Sequence, residues 1–145
     1  MSPFRLPLWD RVHKARRDES GAIAIEFALI APVFLLLCSG IVEGTLLFHT
    51  WGNMENISRQ AARSAAIGML TKDQAEALIK TRMQASTGAP GVTATVTFEK
   101  GLQPVDNAVT VNVTMPASEL SKVLPFGIFR GFDLRTTTRT YWEIG

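Results

Sequence analysis

Residues 21–48 read GAIAIEFALIAPVFLLLCSGIVEGTLLF. Glu26 stands near the start of this run and Glu43 near its end, and everything between them is apolar or small. A bilayer core about 30 Å thick takes roughly 20 such residues in a helix. The run is therefore long enough to span, and it is too long for an ordinary secretory h-region. A carboxylate inside such a segment costs a few kcal/mol near the bilayer centre and less near the interface, so Glu26 is a candidate functional residue by default. Glu43 falls near the outer interface. Two readings of it stand side by side: a solvated helix end, or a packing role.

Outward on the N-terminal side, residues 1–21 form a charged leader. Arg5, Arg11, Lys14, Arg16 and Arg17 stand there against Asp10, Asp18 and Glu19. Five of the 15 basic and three of the 13 acidic residues lie in it, which leaves ten of each for the rest of the chain. The whole excess of +2 is therefore in the leader. Basic residues flanking a span stay cytoplasmic, which predicts an N-in, C-out orientation. A nucleic-acid module needs a basic face on its folded part, and no such face is visible. The leader reads as a short, weakly structured cytoplasmic stretch, with Trp9 and its basic residues available to touch a membrane surface.

Within the run, Pro32 removes one backbone hydrogen bond, which membrane helices tolerate when neighbours compensate. Gly40 and Gly44 have the GxxxG spacing that lets a second helix approach closely. The chain's single cysteine, Cys38, lies inside the apolar run and reads as a small hydrophobe. The outer domain therefore folds without an intramolecular disulfide. A lipid-bearing cysteine is disfavoured because Leu37, not a small residue, precedes Cys38.

Beyond the run, residues 49–69 place Met54, Ile57, Ala61, Ala65 and Gly68 on one stripe, with Glu55, Arg59, Gln60 and Arg63 largely elsewhere. That period predicts that the helix continues past the bilayer as an amphipathic helix. Trp51 sits where an interfacial aromatic anchors. Thr71-Lys72-Asp73-Gln74 is a capping box for a second helix running to about Ala85, with Ala75, Leu78, Ile79 and Met83 buried. Residues 86–91, STGAPG, end it.

The period then switches to two. Val92, Ala94, Val96 and Phe98 alternate with polar residues, and so do Val109, Val111, Val113 and Met115. This predicts two half-buried strands in a hairpin, joined across the turn residues Pro104-Val105-Asp106-Asn107. Ser118 caps a short helical turn through Leu124. Residues 132–144 predict a third strand, with Leu134, Thr136, Thr138, Thr140 and Trp142 on one face. The expected architecture is α+β: a long N-terminal transmembrane helix continuing into an amphipathic helix, a second helix, and a three-stranded antiparallel sheet. The domain scheme is a leader at 1–21, a membrane helix at 22–48 and an extracytoplasmic domain at 49–145. So small a core is marginal alone and predicts docking of the second helix or of partner subunits.

Catalytic patterns are missing from the sequence. His13 lies in the leader and His49 at the membrane edge, and Cys38 is in the span, so no metal cluster or Cys/His pair assembles. There is no nucleophile elbow, P-loop or dinucleotide fingerprint. The expectation is a non-enzyme without cofactor or metal. Asn56-Ile57-Ser58 and Asn112-Val113-Thr114 match the glycosylation pattern, which is too short to carry weight.

Gly21-Ala22-Ile23-Ala24-Ile25-Glu26-Phe27 resembles a type IV prepilin processing site. In that family a charged leader ends in Gly, a membrane-embedded prepilin peptidase cuts after it, and Glu stands at the fifth mature position. The resemblance implies cleavage between Gly21 and Ala22, with Glu26 and Phe27 at positions five and six. The freed amine of Ala22 and a neighbouring subunit's Glu26 then form an ion pair in low dielectric, which sets the axial register between packed helices. Glu26-Phe27, Pro32, Gly40-Ile41-Val42-Glu43-Gly44 and Ala61-Ala62-Arg63 narrow the resemblance to the TadE-like pseudopilins of the tight-adherence (Tad/Flp) pilus system. Ala22 departs from the Phe usual at the first mature position, which leaves N-methylation open. The chain is much longer than the very short major Flp pilins, which favours a minor or assembly role. The implied partners are other pilin-like subunits, the prepilin peptidase, the inner-membrane assembly platform and lipid. The implied site is the inner membrane with a periplasmic C-terminal domain. Two further readings remain: an uncleaved single-pass scaffold or receptor-like protein in which Glu26 snorkels, and a secreted domain cut near Cys38-Ser39-Gly40. The apolar residues from Ile41 to Phe48 argue against the last.

Overall fold

A computed structural model describes residues 19–103, 106–120 and 127–141. It shows helix α1 (Glu19–Ala66), helix α2 (Lys72–Thr87), strands β1 (Thr93–Glu99) and β2 (Ala108–Pro116), a 3₁₀ turn (Ala117–Leu120) and strand β3 (Asp133–Tyr141). The class is α+β, with a long apolar N-terminal helix, a second helix and a three-stranded antiparallel sheet. Residues 1–18 of the leader, Pro104-Val105, Leu124 and Trp142 lie outside the described residues. The chain divides into two compact units between Cys38 and Ser39. Residues 39–48, which the sequence reading assigns to the membrane helix, thus already belong to the C-terminal unit.

In the N-terminal unit, α1 carries Pro32 inside the helix. The proline has no N–H to donate to the carbonyl of Ala28. Ile23, Ile25, Phe27, Leu29, Phe34 and Leu36 are all exposed. The helix from Gly21 is long and apolar enough to cross a membrane, and none of its most apolar window is buried within the protein.

In the C-terminal unit, the same helix acquires an inward stripe. Ser39, Glu43, Thr50, Met54, Ile57, Ala61 and Ala65 are buried, at steps of three, four and seven residues. Ser58 is buried as well, and its hydroxyl is satisfied by the carbonyl of Met54 at 2.8 Å. Gly68 does not extend the stripe as expected. It is exposed with φ +73, and the amides of Gly68 and Met69 close the helix end on the carbonyls of Ala65 and Ser64. A left-handed glycine is a helix stop, which explains why its spacing mimicked a core position.

Helix α2 begins as its sequence predicts. Thr71 accepts from the amide of Gln74, and the Gln74 side chain accepts from the amide of Thr71. It ends at Gly88, φ +68, whose amide reaches the carbonyl of Gln84. Ala75, Ile79 and Met83 are buried and Leu78 packs against them half-buried. Arg82 donates to Gln60, tying α2 to α1.

The sheet is a meander in the order β1-β2-β3, both pairings antiparallel. Val111 lies opposite Val96 on one side and Thr138 on the other. Ala94, Val96, Val109, Val111, Val113, Met115 and Leu134 form one core with Met54, Ile57, Ala61, Ile79 and Met83. Phe98 was expected inside and is 39% exposed. It stands one residue from the end of the outer strand β1, where the cover given to Val96 runs out. The amide of Val96, on that outer edge, is satisfied by Glu76 of α2 at 3.0 Å, so the second helix closes part of the edge as well as the core.

Candidate processing and assembly site

The residues singled out in the sequence fall into two groups, one in each unit. In the N-terminal unit, Gly21, Ala22, Glu26 and Phe27 all lie on α1 and are exposed. Nothing lies within 4 Å of where a Cβ on Gly21 would stand. Glu26 makes no ion pair or hydrogen bond among the described residues, and the apolar side chains of Ile23, Ile25, Phe27, Leu29 and Ile30 surround it along the helix. A carboxylate in that setting is costly in a bilayer unless a cation reaches it. Phe27 stays 71% exposed, a large apolar surface beside the acid. The pair is thus presented outward for a lipid or a neighbouring chain, and Pro32 follows one and a half turns later on the same exposed helix.

In the C-terminal unit the outcome for Glu43 differs from a solvated helix end. Glu43 is 0% exposed. One carboxylate oxygen accepts the amide of Gly127 at 2.8 Å and the other accepts the amide of Ile128 at 2.9 Å. Gly127 has φ +65, and a left-handed residue aims successive N–H groups into one concavity, a nest suited to an anion. Bonds of a carboxylate to backbone N–H groups are charge-assisted and about twice as strong as neutral ones. They offset the desolvation that otherwise makes a buried carboxylate expensive. The packing role of Glu43 is therefore to hold a loop, Gly127 to Phe132, on α1. Gly40, one turn earlier, faces the same loop: a Cβ there would stand 3.9 Å from Cδ1 of Ile128. Gly44 is open, with nothing within 4 Å of its Cβ position. Within this chain the Gly40/Gly44 spacing thus serves a loop at Gly40 and leaves Gly44 clear.

Further along, Trp51 donates its indole N–H to the carbonyl of Arg135 at 3.2 Å and meets Phe48 edge-on at 6.1 Å. Trp51 remains 39% exposed, so it both ties β3 to α1 and presents an aromatic face outward. A groove of about 450 Å³ runs between Leu47, Phe48 and Trp51 on the helix and Asp133, Leu134 and Arg135 on the strand. The partners of Glu43 were not found by sequence reasoning. Their signal was faint: a buried acid needs donors, and Gly127 opens a glycine-flanked apolar hexamer, GIFRGF. Among the described residues no cluster of three or more His, Cys, Asp or Glu side chains is placed to hold a metal.

Among the described residues one exposed apolar helix is long and apolar enough to cross a membrane, and the chain continues from it into an α+β unit. A family model described as TadE-like protein matches residues 21–63, so that segment is similar to TadE-like proteins. The matched segment takes in Gly21, Glu26, Pro32, Gly40, Glu43 and Gly44 and stops at Arg63, before α2 and the sheet. No curated protein and no solved structure matches the chain.

Proposed function

We propose that this chain is a minor pilin or pseudopilin that works in assembly of a tight-adherence pilus and carries no catalytic activity. It inserts in the bacterial inner membrane through α1, N-in, with residues 49–145 in the periplasm. The prepilin peptidase cuts between Gly21 and Ala22. The new amine of Ala22 pairs with Glu26 of a neighbouring pilin-like subunit, and the assembly platform receives the packed helices.

The observation that carries this reading is the exposed Glu26 on an apolar helix, without an ion pair or hydrogen bond among the described residues, inside a segment that matches the TadE-like family from Gly21. An uncompensated carboxylate in a span is expensive, and a partner that supplies a cation turns that cost into register. The exposed apolar residues around it supply the packing surface for helices of other subunits.

The experiment is N-terminal sequencing and intact mass of the membrane-extracted protein, from cells with and without the prepilin peptidase. The expected product starts at Ala22 and reverts to the uncut chain when the peptidase is absent. An uncut chain in both strains overturns the processing step and leaves an anchored scaffold.

A further inference from the structure

The hexamer Gly127-Ile128-Phe129-Arg130-Gly131-Phe132 is held at one end of the C-terminal unit by Glu43 and by its approach to Gly40. Counted from Ala22, roughly 20 helical residues bring the hydrocarbon to about Ile41. The loop thus stands at the level where the apolar run leaves the bilayer. Its side chains are not those of a solvated turn. Ile128 is 46% and Phe132 64% exposed, and Phe129 stacks obliquely on Phe132 at 6.0 Å. On the helix beside them, Ile41 is 70% and Val42 53% exposed. Ile128 itself lies against the helix at Gly40, the residue before Ile41.

Backbone entering a bilayer edge must find its partners inside the protein. Four of the six amides of this loop do so. The amides of Gly127 and Ile128 go to Glu43, that of Arg130 to the carbonyl of Gly127 at 3.3 Å, and that of Phe132 to the carbonyl of Phe129 at 3.1 Å. Aromatic side chains settle at the headgroup level, and an arginine among them reaches lipid phosphates while its stem stays apolar.

We infer that the Gly127–Phe132 loop is a second membrane contact, which inserts Ile128 and Phe132 into the phospholipid leaflet at the C-terminal end of the span, with Glu43 as the latch that holds it there. The inference rests on the membrane-anchored reading above.

The test uses the full chain with Cys38→Ser, in phosphatidylethanolamine/phosphatidylglycerol nanodiscs holding one copy each. Single cysteines at 128, 132, 36, 41 and 95 carry a nitroxide, and collision with oxygen is compared with collision with a water-soluble nickel chelate. Labels at 128 and 132 are expected to favour oxygen several-fold over the exposed sheet position Thr95, as the label at 41 does. Aqueous values at 128 and 132 with lipid values at 36 overturn the loop contact and leave the span intact. Aqueous values at 36 overturn both. Protection from both reagents at 128 and 132 means protein covers the loop, which also overturns the inference. A second measurement leaves the loop unsubstituted: diazirine-bearing acyl chains are expected to label the 127–132 peptide of the unmodified protein, and absence of that adduct beside adducts in 22–41 overturns it.

Discussion

Glu43 and Gly127 meet at 2.8 Å, carboxylate to amide, across 84 residues of chain. The contact joins the helix, where it leaves the apolar run, to the loop that leads into β3. Two of the donors are the amide of a left-handed glycine and the amide after it, backbone groups that the fold must bring into place. Both amides find their acceptor in this one acid.

Removing the acid therefore takes the acceptor from two part-buried amides at once. A fully buried group left unsatisfied costs about 1–3 kcal/mol, and these two cost less because water reaches them. Glu43→Leu is expected to lower the thermal midpoint of the detergent-solubilised protein clearly. Glu43→Gln keeps one acceptor and sets its NH₂ against the other amide, and is expected to fall between Leu and the native chain. Hydrogen exchange at Gly127 and Ile128 should rise by the same order. Unchanged exchange there in Glu43→Leu would show that the latch has another source.

The left-handed backbone at Gly127 gives a second route to the same junction. An added Cβ there strains φ +65 by about 1–2 kcal/mol and displaces the Arg130 side chain lying beside it. Gly127→Ala is expected to destabilise through the loop alone. Combined with Glu43→Leu, the loss should be smaller than the two losses added, because either change already releases the loop. Full additivity in the melting curves would separate the two residues and refute a shared junction.

Much of this architecture was legible. Alternation at Val109, Val111, Val113 and Met115 placed four residues that are all fully buried. The Thr71-to-Gln74 box and the Met54-to-Ala65 stripe were equally plain, because each is a local pattern of side chains. Gly68 misled because a helix stop and a small core residue share the same spacing. Glu43 could not be resolved, since two of its partners are amides with no side-chain signature, 84 and 85 residues away. The ties of Trp51 to Arg135 and Glu76 to Val96 were hidden for the same reason: both end on backbone atoms.

Helix α2 offers a calibration of local against tertiary stability. Thr71→Ala removes the oxygen that accepts from Gln74 and breaks the reciprocal box. Loss of such a cap costs about 1 kcal/mol. Ile79→Ala, fully buried in the core, should cost about 2–5 kcal/mol. Chemical denaturation of the two variants is expected to rank them in that order. A reversed order would mean that α2 is held by its cap rather than by the sheet it covers.

Glu26 separates insertion from assembly. Replacing it with leucine removes a charge from an apolar helix, so Glu26→Leu should enter membranes at least as well as the native chain, by carbonate extraction. It should also keep its fold, because Glu26 is exposed and bonds nothing among the described residues. On the proposed function it loses the carboxylate that pairs with a neighbour's Ala22 amine, and pilus assembly is expected to fail. Gly21→Trp should stop the chain one step earlier by blocking cleavage, while Gly21→Ala, adding a Cβ that meets nothing within 4 Å, is expected to be cut normally or slowly. Uncut Gly21→Trp and cut Glu26→Leu should then share the same assembly defect with different N-termini. Normal trimming of Gly21→Trp would remove the processing site from Gly21, and normal pili from Glu26→Leu would remove the register role from the carboxylate.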